Sequence, residues 1–240
     1  MYGKLLRSGV RLTTGHGTAS PIAEYVVWAV LDTFLGAGQW RVAQAESRWE
    51  RGGTGHREVA GSAWLVVGMG AIGGEVARRA RALGATVTGV RRHPSGDEPV
   101  DRVVTPDGLL SAVPEADVVV LSAPASRATR HLADGAFFAA MRPGSVLVNV
   151  ARGELVDEEA LLAALDLGRP AAAVLDVAST EPLSVASPLW RHPLVTLTPH
   201  ASGHTGTTNA HYLPFVEENL RRYLAGEPLR QERTLADWRT

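Results

Sequence analysis

The 240-residue chain is 45% hydrophobic and 20% charged, carries a formal net charge of −1 and contains no cysteine. This length and balance fit a folded chain that forms one large domain or one domain with an appendage, and they argue against disorder. Near-neutrality gives no electrostatic ground for a nucleic acid or an anionic membrane as partner, and the lack of thiols excludes disulfides, thiolate catalysis and cysteine-ligated metal or iron–sulfur centres.

The opening MYGKLLRSGV has no apolar signal-peptide core. No run of about 18 uninterrupted apolar residues offers a membrane span, so a soluble chain in the cytoplasm, acting on a small molecule, is the expectation. SPIAEYVVWAVLDTFLGAGQW predicts one long helix from about Pro21, and WRVAQAESRWERGG, with Trp40 and Trp49, follows it. Six short apolar, β-branched runs then read as buried strands: WLVVG at 64–68, TVTGV at 86–90, DVVVLSA at 117–123, SVLVNVA at 145–151, AAVLDVA at 172–178 and VTLTP at 195–199. Helical patterns separate several of them. One places Val76, Ala77, Ala80 and Leu83 on a single face and stops at Gly84; another starts at Asp157 as N-cap, with Glu158 and Glu159 in the first turn, and ends at Gly168 and Pro170. TTNAHYLPFVEENLRRYLAGEPL is helical in part. Strands alternating with helices predict an α/β chain of Rossmann type, a doubly wound parallel sheet covered on both faces, whose ligands gather at the carboxyl edge.

Gly68, Gly70 and Gly73 in VVGMGAIGGEVARRA have G-x-G-x-x-G spacing. Three glycines alone are weak, but here they close an apolar strand and open an amphipathic helix, the context in which a backbone turn receives a dinucleotide pyrophosphate. The second strand of such a unit usually ends, about 20 residues on, in an acid that binds the adenosine ribose. This chain has Arg91 there, followed by Arg92. A guanidinium accepts no hydrogen bond but pairs with a ribose 2′-phosphate, which points to NADP over NAD; two solvated arginines at a strand end are the bland alternative.

The fourth, fifth and sixth strands each deliver an ionisable side chain just past their carboxyl ends: Arg152, Glu181 and His200. Reduction of a 2-keto acid needs a cation to hold carboxylate and carbonyl, for which arginine is suited, and a proton donor, for which histidine beside a carboxylate is suited. Taken singly, Arg152 bridges surface acids, Glu181 is a solvated loop acid and His200 caps a helix. Their convergence on one edge is the functional signal.

These residues resemble the D-isomer-specific 2-hydroxyacid dehydrogenases from about Gly9 to Pro228, through GVRLTTGHGTASPIAEYVVWAVL, VVGMGAIGGEVA, VNVARGELVDEEAL, LDVASTEPLSVASPLW and TPHASG. GVRR and EPLSVASPLW look most like glyoxylate and hydroxypyruvate reductases. The resemblance implies that Arg152 binds the substrate carboxylate and carbonyl, that His200 is the acid/base and that Glu181 orients it. It also implies cofactor contacts at Ala71, Ile72, Ala123, Val150 and Asp176, with Asp176 near the nicotinamide carboxamide, and a homodimer formed through the long helix and the tryptophan segment.

Family members carry roughly 80 to 100 more N-terminal residues, the size of a small α/β lobe. The expectation is therefore a truncated second lobe: a remnant at 1–14, an NAD(P)-binding domain at 15–199 and a returning helical segment at 200–240, in a chain that is a degenerate protein or a fragment. Without that lobe the cleft would be expected to have one wall and to admit water to the site. Two other function classes stay open: a cofactor-binding interaction protein without turnover, and a metal hydrolase using His200, His204 and Glu181, which Gly203 and the want of a further ligand disfavour.

Overall fold

The computed structural model describes residues 2–49, 51 and 55–235. Met1, positions 50, 52 and 53 of the tryptophan segment, position 54 after it, and the last five residues lie outside the described residues.

Seven parallel strands form the central sheet: β1 (Ala63–Val67), β2 (Thr86–Val90), β3 (Arg102–Val104), β4 (Val118–Leu121), β5 (Val146–Asn149), β6 (Ala172–Leu175) and β7 (Val195–Leu197). Their order is β3-β2-β1-β4-β5-β6-β7, so the winding reverses between β1 and β4 and leaves a crevice beyond their carboxyl ends. The six expected strands are all present. β3 was not expected: it is three residues long, begins with a charge and lies at the sheet edge, where apolar patterning is weakest.

Alternation along the strands divides the core into two layers. Val118 and Val120 of β4 pack with Trp64, Val66 and Val148 beneath α1 (Ala19–Leu35) and α3 (Ala71–Ala82), whereas Val119 and Leu121 join Leu65, Leu147, Phe137, Phe138, Leu161 and Leu165 on the other face. Burial on both faces is why β4, β5 and β6 read as continuous apolar runs. α4 (Glu158–Asp166) starts at Asp157, whose carboxylate accepts from the Ala160 N–H, as predicted for its N-cap.

The long helix differs from the expectation in extent. α1 starts at Ala19, with Pro21 in its first turn, and stops at Gly36, whose φ of 61° is left-handed and whose N–H returns to Asp32 and Thr33. A separate α2 (Ala37–Ala45) follows, tied back to α1 by Arg41 on Asp32 at 2.8 Å. Glycine tolerates the left-handed turn that ends one helix and starts the next.

Beyond the sheet, Leu12–Thr13 pairs antiparallel with Glu232–Arg233, and Arg11 binds Glu232 at 2.6 and 2.7 Å. The two flanking segments therefore meet each other. The helix Thr208–Leu224 carries Tyr212 against Gly15 and Gly17, where an added Cβ would come within 2.5 and 2.8 Å of its ring.

Candidate active site at the carboxyl edge

The glycine turn between β1 and α3 sits at the crevice. Gly68 has a φ of +102°, and a Cβ there would fall 2.6 Å from the Ala123 nitrogen after β4; a Cβ on Gly73 would fall 2.0 Å from the Gly68 carbonyl. These two glycines thus fold the turn onto its neighbours. Gly70 is different: nothing lies within 4 Å of a Cβ placed there. It caps α3 without a side-chain hydrogen bond, so the helix N-terminus, with Ala71 and Ile72 in its first turn, faces open space. Free amides at the positive end of a twelve-residue helix, beside a position with no side chain, suit a pyrophosphate. Ala123 and Val150, just past β4 and β5, are buried.

Arg152 leaves β5 on a turn shaped by Asn149, which is fully buried, accepts from the Ala151 N–H at 3.0 Å and donates to the Arg152 carbonyl at 2.9 Å. The arginine side chain is exposed, and its Nη1 donates to the Ala151 carbonyl at 2.6 Å. Gly153 follows, and a Cβ there would lie 1.9 Å from the Ala178 carbonyl carbon and 2.2 Å from the Ser179 nitrogen. The absence of a side chain lets the arginine loop seat directly on the loop that leads from β6 to Glu181. Glu158, from the first turn of α4, accepts the Ser179 N–H at 2.7 Å and fastens the same junction.

His200 and Glu181 meet. Nδ1 of the ring lies 2.7 Å from Oε2 of the carboxylate, whose other oxygen accepts the Ala178 N–H at 3.1 Å. Burial opposes ionisation of Glu181, but the His200 hydrogen bond, the Ala178 N–H and the charges of His200 and Arg152 outweigh it, so its pKa falls below the ordinary carboxylate value. His200 has a φ of 54°, a left-handed conformation costly for a residue with a Cβ.

Asp176 holds it there. The Asp176 carboxylate is buried and accepts from the Thr198 hydroxyl at 2.6 Å, the Ala201 N–H at 2.9 Å and the Ser202 N–H at 3.0 Å, while its carbonyl accepts the His200 N–H at 2.7 Å. Tyr25 of α1 donates to Thr198 at 2.7 Å, and burial pushes its pKa up to about 12, so it stays a donor. Asp176 was expected beside a nicotinamide carboxamide; both of its oxygens are engaged in the histidine loop. Sequence reasoning missed Tyr25, Thr198, Asn149 and Gly153; Tyr25, Thr198 and Gly153 act through contacts distant in the chain, and Asn149 through bonds to Ala151 and Arg152 just after it.

Glu181, His200, Asp176, Thr198 and Trp190 line a cavity of about 450 Å³. Trp190 stands at its rim with its indole N–H on the Ser184 carbonyl at 2.9 Å. His204 does not join: among the described residues no three His, Asp or Glu side chains are grouped to hold a metal ion, and residues 200–204 are not helical. Arg91 pairs with Glu98 at 3.0 Å, whereas Arg92 is exposed.

Sheet order, glycine turn and carboxyl-edge residues define a dinucleotide-binding core of Rossmann type. Residues 27–202 match the NAD-binding domain of the D-isomer specific 2-hydroxyacid dehydrogenases, and the chain belongs to that family. It is 36% identical over 212 residues to the (S)-sulfolactate dehydrogenase of Chromohalobacter salexigens, covering 88% of this chain and 68% of that enzyme. With glyoxylate/hydroxypyruvate reductase A of Serratia proteamaculans it shares 32% over 206 residues, covering 85% and 65%. A D-isomer specific 2-hydroxyacid dehydrogenase from Xanthobacter autotrophicus Py2, solved with NADPH and MES, superimposes with a TM-score of 0.83 at 32% identity, over 95% of this chain and 93% of that one. The chain spans as little as 29% of the length of other curated relatives.

Proposed function

We propose that this chain carries the catalytic machinery of an NADP(H)-dependent reductase that interconverts a small 2-keto acid, of the glyoxylate or hydroxypyruvate kind, with the D-2-hydroxy acid. The observation that carries this reading is the His200–Glu181 pair at 2.7 Å, held on a left-handed backbone beside Arg152 at the carboxyl edge. The backbone amides after Gly70 would hold the pyrophosphate of a nicotinamide cofactor, which would supply the hydride.

The chain's own residues do the rest. Arg152 holds the substrate carboxylate and polarises the carbonyl through its permanent, forked charge. His200 gives a proton from Nε2 to the carbonyl oxygen, and Glu181 fixes the ring through Nδ1 so that Nε2 faces the substrate. Arg91 and Arg92 favour the 2′-phosphorylated cofactor, a reading supported by the NADPH complex of the Xanthobacter relative. The small-keto-acid assignment takes its support from the Serratia reductase and from the cavity lining, which holds no lysine or arginine to pair with a second anionic group.

We assign the active form as a homodimer in the cytoplasm, formed through the exposed Trp28, Leu31, Trp40 and Val42 of α1 and α2. Oxidation of NADPH and NADH by the chain, with glyoxylate and hydroxypyruvate as acceptors, tests the whole reading. Turnover faster with NADPH and abolished by His200→Ala and Arg152→Ala is expected. Tight cofactor binding with no turnover on any 2-keto acid would instead make the chain a cofactor-binding interaction protein.

A further inference from the structure

The loop after β2 contains a second built feature. Glu98 has a side chain only 1% exposed, although it lies in a surface loop. Its carboxylate accepts from the Ser95 N–H at 2.7 Å, the Ser95 hydroxyl at 2.9 Å and the Gly96 N–H at 2.9 Å, and pairs with Arg91 Nη1 at 3.0 Å. The Ser95 hydroxyl also reaches Asp97. Two backbone amides, a hydroxyl and a guanidinium converging on one acidic group form an anion cradle. The Ser95 N–H above all, against the opposing effect of burial, holds the Glu98 pKa down at about 2, so the carboxylate is charged at neutral pH.

We propose that Glu98 is an internal stand-in for the 2′-phosphate of NADP(H), a tethered competitor that sets how strongly the chain discriminates NADPH from NADH. The inference rests on the reading of Arg91 as the 2′-phosphate ligand. A phosphate monoester carries more charge and more acceptor oxygens than a carboxylate, so it displaces Glu98 from the same donors. NADH presents only a hydroxyl there and leaves Glu98 in place. Glu98 therefore weakens the apparent affinity for NADPH by the fraction of molecules in which it fills the cradle, and leaves NADH untaxed.

The test is the dissociation constant of NADPH, NADH, 2′,5′-ADP and 5′-AMP for the unaltered chain and for Glu98→Gln, Glu98→Ala and Arg91→Ala. Glutamine keeps the shape of the side chain and removes its charge; alanine removes both. Tightening of NADPH and 2′,5′-ADP by about tenfold in either Glu98 variant, with NADH and 5′-AMP not tightened, is expected. If neither variant tightens 2′,5′-ADP, Glu98 merely shapes the loop and the proposal falls. Arg91→Ala separates the two ideas: an unchanged NADPH-to-NADH ratio in that variant overturns the Arg91 reading itself, whatever Glu98 does.

Discussion

Gly153→Ala tests whether the active site depends on the seating of one loop on another. The added Cβ would lie 1.9, 2.0 and 2.2 Å from the Ala178 carbonyl carbon, its oxygen and the Ser179 nitrogen. All three are backbone atoms, and carbon contacts relax only near 3.5 Å, so the two loops must part by more than 1 Å. Overpacking of this kind costs about 1 to 3 kcal/mol. For a chain of this size each kcal/mol lowers the melting temperature by about 2 to 4 °C, so a drop of about 2 to 12 °C is expected. The functional effect should be larger. Arg152 is on one side of the junction and Glu181, three residues past Ala178, on the other, and a misplacement of about 1 Å between reacting groups costs about a hundredfold in rate. Differential scanning fluorimetry and NADPH-dependent keto-acid reduction read the two effects. A melting temperature within about 1 °C of the parent, with unchanged turnover, would refute the close-approach argument.

Asp176→Asn turns an acceptor of two N–H groups and one hydroxyl into a mixed group, leaving a buried donor facing another donor; a loss of about 1 to 3 kcal/mol in urea denaturation is expected, with turnover falling as the His200 backbone relaxes. Glu181→Gln should leave the NADPH dissociation constant unchanged while turnover falls at least about tenfold, because the amide can rotate its NH₂ toward His200 and let the ring turn away; a proportional loss of cofactor binding would contradict that division of labour. Glu98 and Glu218 both have folded pKa values near 2, below the ordinary 4.5, so the stabilisation each confers is complete above about pH 4.5 and lost as the pH falls through 2. Urea midpoints between pH 5 and 2 should therefore decline less steeply in Glu98→Gln and in Glu218→Gln than in the parent.

The physical origin of each feature decides how visible it is in the chain. β4 to β6 are legible because a parallel strand buried on both faces must be apolar throughout. β3 is not, since Arg102–Val104 at the edge is specified by its register against Thr88–Val90 and by the Asp101 carboxylate on the Val87 N–H, neither of which leaves a local pattern. The break at Gly36 is ambiguous for a related reason, because a glycine inside a helical pattern is equally a tolerated interruption or a left-handed stop. At the site, Arg152, Glu181 and His200 are legible as ionisable residues just beyond strand ends, where parallel topology alone brings them to one edge. What that rule cannot supply is the distance between them. The 2.7 Å between His200 and Glu181 depends on a histidine held in a costly backbone conformation by Asp176 and Thr198, and Thr198 in turn is met by Tyr25, 173 residues away. Glu98 makes the same point in the opposite sense. Its sequence neighbours read as a plain polar loop, yet its burial, three hydrogen-bond donors and an ion pair place an acid on the very arginine from which the cofactor preference is inferred. On the proposal made above, cofactor choice is a contest between two anions for one cradle, and only the arginine half of that contest is written in the strand-end pattern.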